Sequence, residues 1–251
     1  MLRVAGVTVA NIPQSNPLAS ADRPWDGEVM DWPVLASVPA EDRDRLVATL
    51  RRRSYHRDEV IFHQGDPADT LHLVATGHVS VRVTLPGGEF VVVAIFGPSD
   101  AFGELALVGG PRPRGATVVA LEPCETLSLG RDQFERLRAS YPGVNRFLVE
   151  LLSERVERLN GYLLEALYVP AERRVLRRLV DLCQLYAGDE QHIVIPVTQE
   201  MLASLAGTTR PTANQVLGRL AASQLVEVSR GQIVVLNRRE LHRRAGHPGQ
   251  A

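Results

Sequence analysis

TQEMLASLAGTTRPTANQVLGRL, running from Thr198 to Leu220, is the stretch on which the reading of this chain turns. Thr198 can accept from the free N–H groups of a helix start, Glu200 suits the positive end of a helix, and an apolar face follows, so a short helix ending at Gly207 is expected. Thr208 or Thr209 then caps a second helix with Pro211 in its first turn. In that helix Ala213, Val216, Leu217 and Leu220 point inward, while Arg210, Asn214, Gln215 and Arg219 point out. Two helices around a glycine turn are a helix-turn-helix. An αα-hairpin with a polar surface would share this pattern. The outward residues favour a reader of base edges, because Arg matches guanine O6/N7 and Asn or Gln matches adenine N6/N7.

Downstream, Val226-Glu227-Val228 and Ile233-Val234-Val235 flank Ser229-Arg230-Gly231 as a hairpin, which makes the unit a winged helix with Arg230 and Gln232 at a phosphate-holding tip. The candidate DNA-contacting residues are Thr198, Thr209, Arg210, Pro211, Thr212, Asn214, Gln215, Arg219 and Arg230. Upstream, a short strand is expected over His192 to Pro196 after a turn at Gly188-Asp189. A helix over Arg173 to Tyr186 carries Arg173, Arg174, Arg177 and Arg178, read as a solvated basic face.

Before it, Pro142 to Val169 holds the most regular pattern in the chain. Val149, Leu152, Val156, Leu159, Leu163 and Ala166 recur in steps of three and four, the a/d seam of a coiled coil, and predict a parallel homodimer, although a helix packed on its own domain would show the same stripe. Pro170 ends this helix, and the link from Tyr168 to Ala171 is the candidate hinge. Between Tyr55 and Leu129 the period changes to short β-rich runs: Val60–Phe62, Leu71–Val74, Val79–Val83, Phe90–Phe96, Thr117–Ala120 and Thr126–Leu129. Gly, Pro or Asp bounds each run, so a roll or barrel is expected. A short amphipathic helix is read over Glu41 to Arg53. The fold class is therefore α+β: a flexible arm over residues 1–31, a β-roll over 32–140, a dimerisation helix over 141–169 and a winged helix-turn-helix over 170–251.

Composition narrows the class of protein. At 45% hydrophobic and 23% charged, the 251 residues exclude a wholly disordered or collagenous chain. Two cysteines, Cys124 and Cys183, fit neither a Cys-x-x-Cys motif nor a local iron–sulfur set and read as reduced thiols. No apolar run has the roughly 18–20 residues of a spanning helix, and Met1 to Pro13 has no strong apolar signal core, so a cytoplasmic protein away from the membrane is expected. No nucleophile–base set, phosphate loop or metal cluster points to an enzyme. All 28 basic residues are arginine, a mark of genome composition. From Ala171 onward the formal charge is +4 and before it −5, the segregation expected when one part meets phosphate.

The order of parts resembles the CRP/FNR family of bacterial transcription regulators. The resemblance covers roughly Trp32 to Leu241 and rests on Gly65 and Gly77 at roll turns, on Phe102-Gly103-Glu104-Leu105-Ala106 followed by Arg114-Gly115-Ala116-Thr117, and on Thr198 to Leu220. It implies a regulator of double-stranded DNA at imperfect palindromes, with RNA polymerase as a further partner and a cyclic nucleotide, cAMP first, as effector. The matching glutamate of the family binds ribose and the matching arginine, ten positions later as here, binds the cyclic phosphate; these are Glu104 and Arg114. Gly103, Leu105, Ala106, Gly115, Ala116 and Asn160 complete the ligand set. The chain departs from the family at Gly115, where a Ser or Thr is usual, and at Leu159 and Asn160, where cAMP-responsive members carry Thr-Ser. Pro111-Arg112-Pro113 also adds a second positive charge. Another small effector, or an ion pair between Glu104 and Arg114 with no ligand, stays open, as does a nucleotide module that docks on a partner protein. In the recognition helix the family's Arg-Glu and later Arg become Arg210, Pro211 and Gln215, which predicts a shifted DNA site. His63, His72 and His78 are read as solvent-facing polar positions, with no metal or haem.

Overall fold

The computed structural model describes residues 32–108, 112–186 and 192–246. The expected arm, Pro111 and the turn at Gly188-Asp189 lie outside them. A 3-10 turn at Pro33–Leu35 leads into α1 (Ala40–Thr49). The strands that follow are β1 (Arg51–Tyr55), β2 (Val60–Phe62), β3 (Thr70–Thr76), β4 (Val79–Thr84), β5 (Phe90–Phe96), β6 (Ala101–Phe102), β7 (Thr117–Ala120) and β8 (Cys124–Gly130). They form two antiparallel sheets, β1-β8-β3-β6 and β2-β7-β4-β5, the two layers of a jelly roll. The register Leu71 to Leu129 and Leu73 to Leu127 puts four fully buried leucines on one face of β3 and β8. Trp32, Leu35 and Phe134 cover that face, and the Trp32 indole donates to the Val74 carbonyl at 3.1 Å. The opposite face packs Val74, Phe102 and Cys124 into the roll.

Next come α2 (Arg131–Ser140) and α3 (Gly143–Tyr168). At a rise of about 1.5 Å per residue α3 is about 39 Å long. Ion pairs of Arg155 and Glu165 hold its later turns, and its buried side chains, Val144 and Leu148, lie in the first ones. Beyond them the apolar stripe faces outward. The remaining elements are α4 (Ala171–Leu185), β9 (Ile193–Ile195), α5 (Gln199–Leu205), α6 (Arg210–Ala222), β10 (Val226–Ser229), β11 (Gln232–Val235) and α7 (Arg238–Ala245). The sheet β10-β11-β9 and helices α4 to α7 enclose one apolar core. That core runs on into the roll through Val92 and Leu121, and α5 packs along β5.

Three expectations need correction. The helix read over Glu41 to Arg53 ends at Thr49, and Arg51-Arg52-Arg53 opens β1, because Arg52 turns inward onto Glu125 at 2.7 Å while Arg51 and Arg53 face water. Of the four arginines read as a solvated face on α4, Arg173 is exposed but the other three turn inward. Arg177 and Arg178 both bond the Glu165 carboxylate, at 2.8 and 2.7 Å, and Arg174 bonds backbone carbonyls. Finally, His72 and His78 are buried. His78 bridges the roll to α4: Nδ1 lies 2.5 Å from Glu122 Oε1, Nε2 lies 3.3 Å from the Leu185 carbonyl, and the ring stacks on Tyr186.

Candidate effector pocket and nucleic-acid interface

Inside the roll, a cavity of about 220 Å³ is lined by Gly103, Glu104, Leu105, Arg114, Gly115 and Ala116, together with Phe62, Phe102 and Arg155. The chain turns into it at Gly103, whose φ of +83° favours glycine. A Cβ there would stand 2.7 Å from the Arg114 guanidinium, so the residue also keeps room for that side chain. Glu104 is 2% exposed, which for a carboxylate requires partners. Its Oε1 accepts from Arg155 of α3, while its Oε2 is buried with no partner. Arg155 also donates to the Ala101 carbonyl at 3.0 Å. The ion pair weighed between Glu104 and Arg114 is therefore replaced by one between Glu104 and Arg155.

Arg114 is drawn to the wall of the cavity. Its Nη1 donates to the Thr70 carbonyl at 2.8 Å and its Nη2 to Thr70 Oγ1 at 2.6 Å, and its guanidinium lies 4.0 Å over the Phe62 ring. The Thr70 hydroxyl, which accepts from Arg114, also lies 3.3 Å from His72 Nε2, and His72 Nδ1 lies 3.2 Å from Thr126 Oγ1. Burial, followed by the charges of Arg114 and Arg53, pushes His72 down to about 3, so the ring is neutral. One acceptor, Glu104 Oε2, and two donors, Arg114 Nε and Arg155 Nε, stay unpaired on residues lining the same cavity. An unpaired acceptor and a guanidinium suit a hydroxyl and a phosphate, the polar ends of a nucleotide monophosphate.

The structure brings together most of the expected ligand set, but not all of it. Asn160 is exposed on α3 and does not line the cavity; Arg155, more than a turn earlier, closes that side. Nothing is described of the Ala106 side chain, and Arg112 is exposed outside the cavity. Arg155 and Thr70 went unread in the sequence. Arg155 sits among the charged outer positions of a heptad pattern and Thr70 at the start of a strand, and neither place marks a ligand-facing residue.

At the other end, Thr198 Oγ1 accepts from the Met201 N–H at 3.1 Å and Thr209 Oγ1 from the Thr212 N–H at 3.4 Å, so both threonines cap their helices. Between them Gly207 adopts φ +57° and makes the turn. Ala213, Val216, Leu217 and Leu220 are buried. Arg210, Pro211, Gln215 and Arg219 are exposed, Thr212 and Asn214 half-buried, and Arg219 reaches Glu172 of α4 at 3.1 Å. Arg230 is exposed in the tight turn between β10 and β11. Along α3, Val149, Val156, Leu159 and Leu163 are all more than half exposed; Ala166 is exposed and Leu152 half-buried. A stripe of this kind is expected where a second helix packs.

Two family models match the chain. The cyclic nucleotide-binding domain family matches residues 52–141, and the Crp-like helix-turn-helix domain family matches residues 173–244. The cyclic AMP receptor protein of Thermus thermophilus is 32% identical over 203 residues, covering 81% of this chain and 92% of that one. The CRP-like cAMP-activated global transcriptional regulator of Mycobacterium tuberculosis is 28% identical over 203 residues, with 80% and 90% coverage. The solved structure of FixK2 from Bradyrhizobium japonicum superposes with a TM-score of 0.69 at 23% identity over 80% of this chain and 100% of that one, a likeness of fold.

Proposed function

Because the chain belongs to the CRP/FNR family of transcription regulators, we propose that it is a homodimeric, sequence-specific DNA-binding regulator gated by a cyclic nucleotide, cAMP before others, in its roll. The observation that carries the gating is the buried, unpartnered Glu104 Oε2 facing the same cavity as Arg114. Glu104 would accept from a ribose hydroxyl, Arg114 would take the phosphate from its present hold on Thr70, and the Gly115 N–H would stand in for the missing hydroxyl. Gly103, Leu105 and Ala116 shape the wall. Asn160, exposed on α3, would reach the base only if the helix pair brings it over the pocket.

In this reading residues 32–140 sense, 141–169 dimerise and 170–251 bind DNA in the cytoplasm, with RNA polymerase as a further partner. The ligand shifts the dimer only as far as it binds the DNA-competent arrangement more tightly. Arg210 would keep a guanine contact, while Pro211 and Gln215 would move the rest of the half-site. A different small effector is the second reading. It is favoured by the cavity of about 220 Å³, below the roughly 300–1,000 Å³ of most ligand sites, and by the hold of Arg155 on Glu104.

Calorimetric titration of the purified protein with cAMP and with cGMP, beside the Arg114→Ala variant, tests the gating. Micromolar binding that disappears in the variant is expected. No heat from either nucleotide, in protein that still binds DNA, would overturn it.

A further inference from the structure

We infer that Arg174 is a positioning residue that fixes the helix-turn-helix to the end of the long helix and so sets the half-site spacing the dimer accepts. The inference deepens, and rests on, the reading of the chain as a DNA-binding dimer. Arg174 lies in the first turn of α4, where its N–H bonds the Pro170 carbonyl and where a cation is disfavoured by its own helix dipole. Two other helices end against it. Nη1 donates to the carbonyls of Ala166 and Val169, both at 3.1 Å, at the C-terminus of α3. Nε donates to the Ala206 carbonyl at 2.9 Å and Nη2 to the Gly207 carbonyl at 2.8 Å, in the turn between α5 and α6. The negative ends of α3 and α5 thus meet on one planar guanidinium.

The neighbouring arginines do not do this. Arg177 and Arg178 join α4 to Glu165 of α3, and Arg178 adds Asp181 of α4 and the Tyr162 ring of α3, but neither bonds the turn between α5 and α6. Arg174 alone, among the three, carries the direction of α3 into the helix-turn-helix turn. A lysine at this position would supply a point charge without the fork, and could not hold both sets of carbonyls in one orientation.

Two readouts test this, one of them independent of DNA. Spin labels at the exposed positions Glu157 on α3 and Ser223 at the end of α6, in labelled chain diluted with unlabelled chain, should give one narrow distance in wild type. The distribution should broaden in Arg174→Ala and Arg174→Lys while the roll's melting temperature is unchanged. The lysine variant keeps a cation at the site should the alanine variant fold poorly.

For DNA, the probe is the half-site that the wild-type chain enriches from random duplexes, placed twice with centres one helical turn apart or displaced by two base pairs. Wild type should discriminate between these by about a hundredfold and Arg174→Lys by less than about tenfold. Unbroadened label distances, or spacing discrimination kept in the variants, would overturn the inference. A wild-type chain that enriches no DNA would overturn the DNA-binding reading instead, and the label distances would still decide the clasp.

Discussion

Glu104 holds much of its position through Arg155, and the cost of removing either partner differs. Breaking a buried ion pair from one side leaves a charge without compensation, a loss of about 3–5 kcal/mol, whereas removing both can be nearly neutral. Arg155→Met is therefore expected to destabilise the roll by about 3 kcal/mol, and Glu104→Gln with Arg155→Met to recover most of it, as measured by urea unfolding. Equal losses in the single and double variants would show that the pair contributes packing alone. His72 gives a pH signature. Its folded value of about 3 lies below the ordinary histidine value of 6.5, so the unfolded chain binds the extra proton. The stabilising contribution is complete above about pH 6.5 and is lost as pH falls toward 3, with a slope near 1.4 kcal/mol per unit. Unfolding free energies between pH 7 and 4 should show that slope in wild type and a slope smaller by one proton in His72→Gln.

At the level of elements, most of the fold was legible and the exceptions have physical causes. Period-two runs with glycine punctuation located β2, β3, β4, β5, β7 and β8, and threonine caps located α5 and α6. β1 was hidden because Arg51-Arg52-Arg53-Ser54 lacks the apolar alternation of a strand; ahead of buried Tyr55 its inward residues are an arginine and a serine held by Glu125 on β8. The candidate site was half legible: Glu104 and Arg114 come from a motif, but Arg155 reaches the pocket from a helix whose pattern describes only its seam. That seam makes the prediction at this scale. Leu163, 59% exposed on an isolated chain, has the environment of a residue awaiting a partner. Leu163→Glu should convert a sedimenting dimer to monomer without lowering the roll's own melting temperature, and a dimer that persists would remove α3 from the interface.

For the whole molecule, the charge division and the exposed wing predict a salt-dependent interaction. The logarithm of the DNA affinity should fall linearly with the logarithm of salt, and Arg230→Ala should make the slope shallower by about 0.9 for each protomer. A slope unchanged by the substitution would mean that the wing tip does not touch phosphate. The placement of Arg155 reaches further. It adjoins Val156, so the residue that closes the pocket and a residue of the exposed seam share one turn of one helix. Any movement of α3 that improves the seam is felt at Glu104, and thermodynamic reciprocity makes the converse equally true. In the proposed dimer, sensitivity to the effector would then depend on dilution: below the concentration at which the helices pair, the same chain would become a different detector, and gene dosage would become one of its inputs.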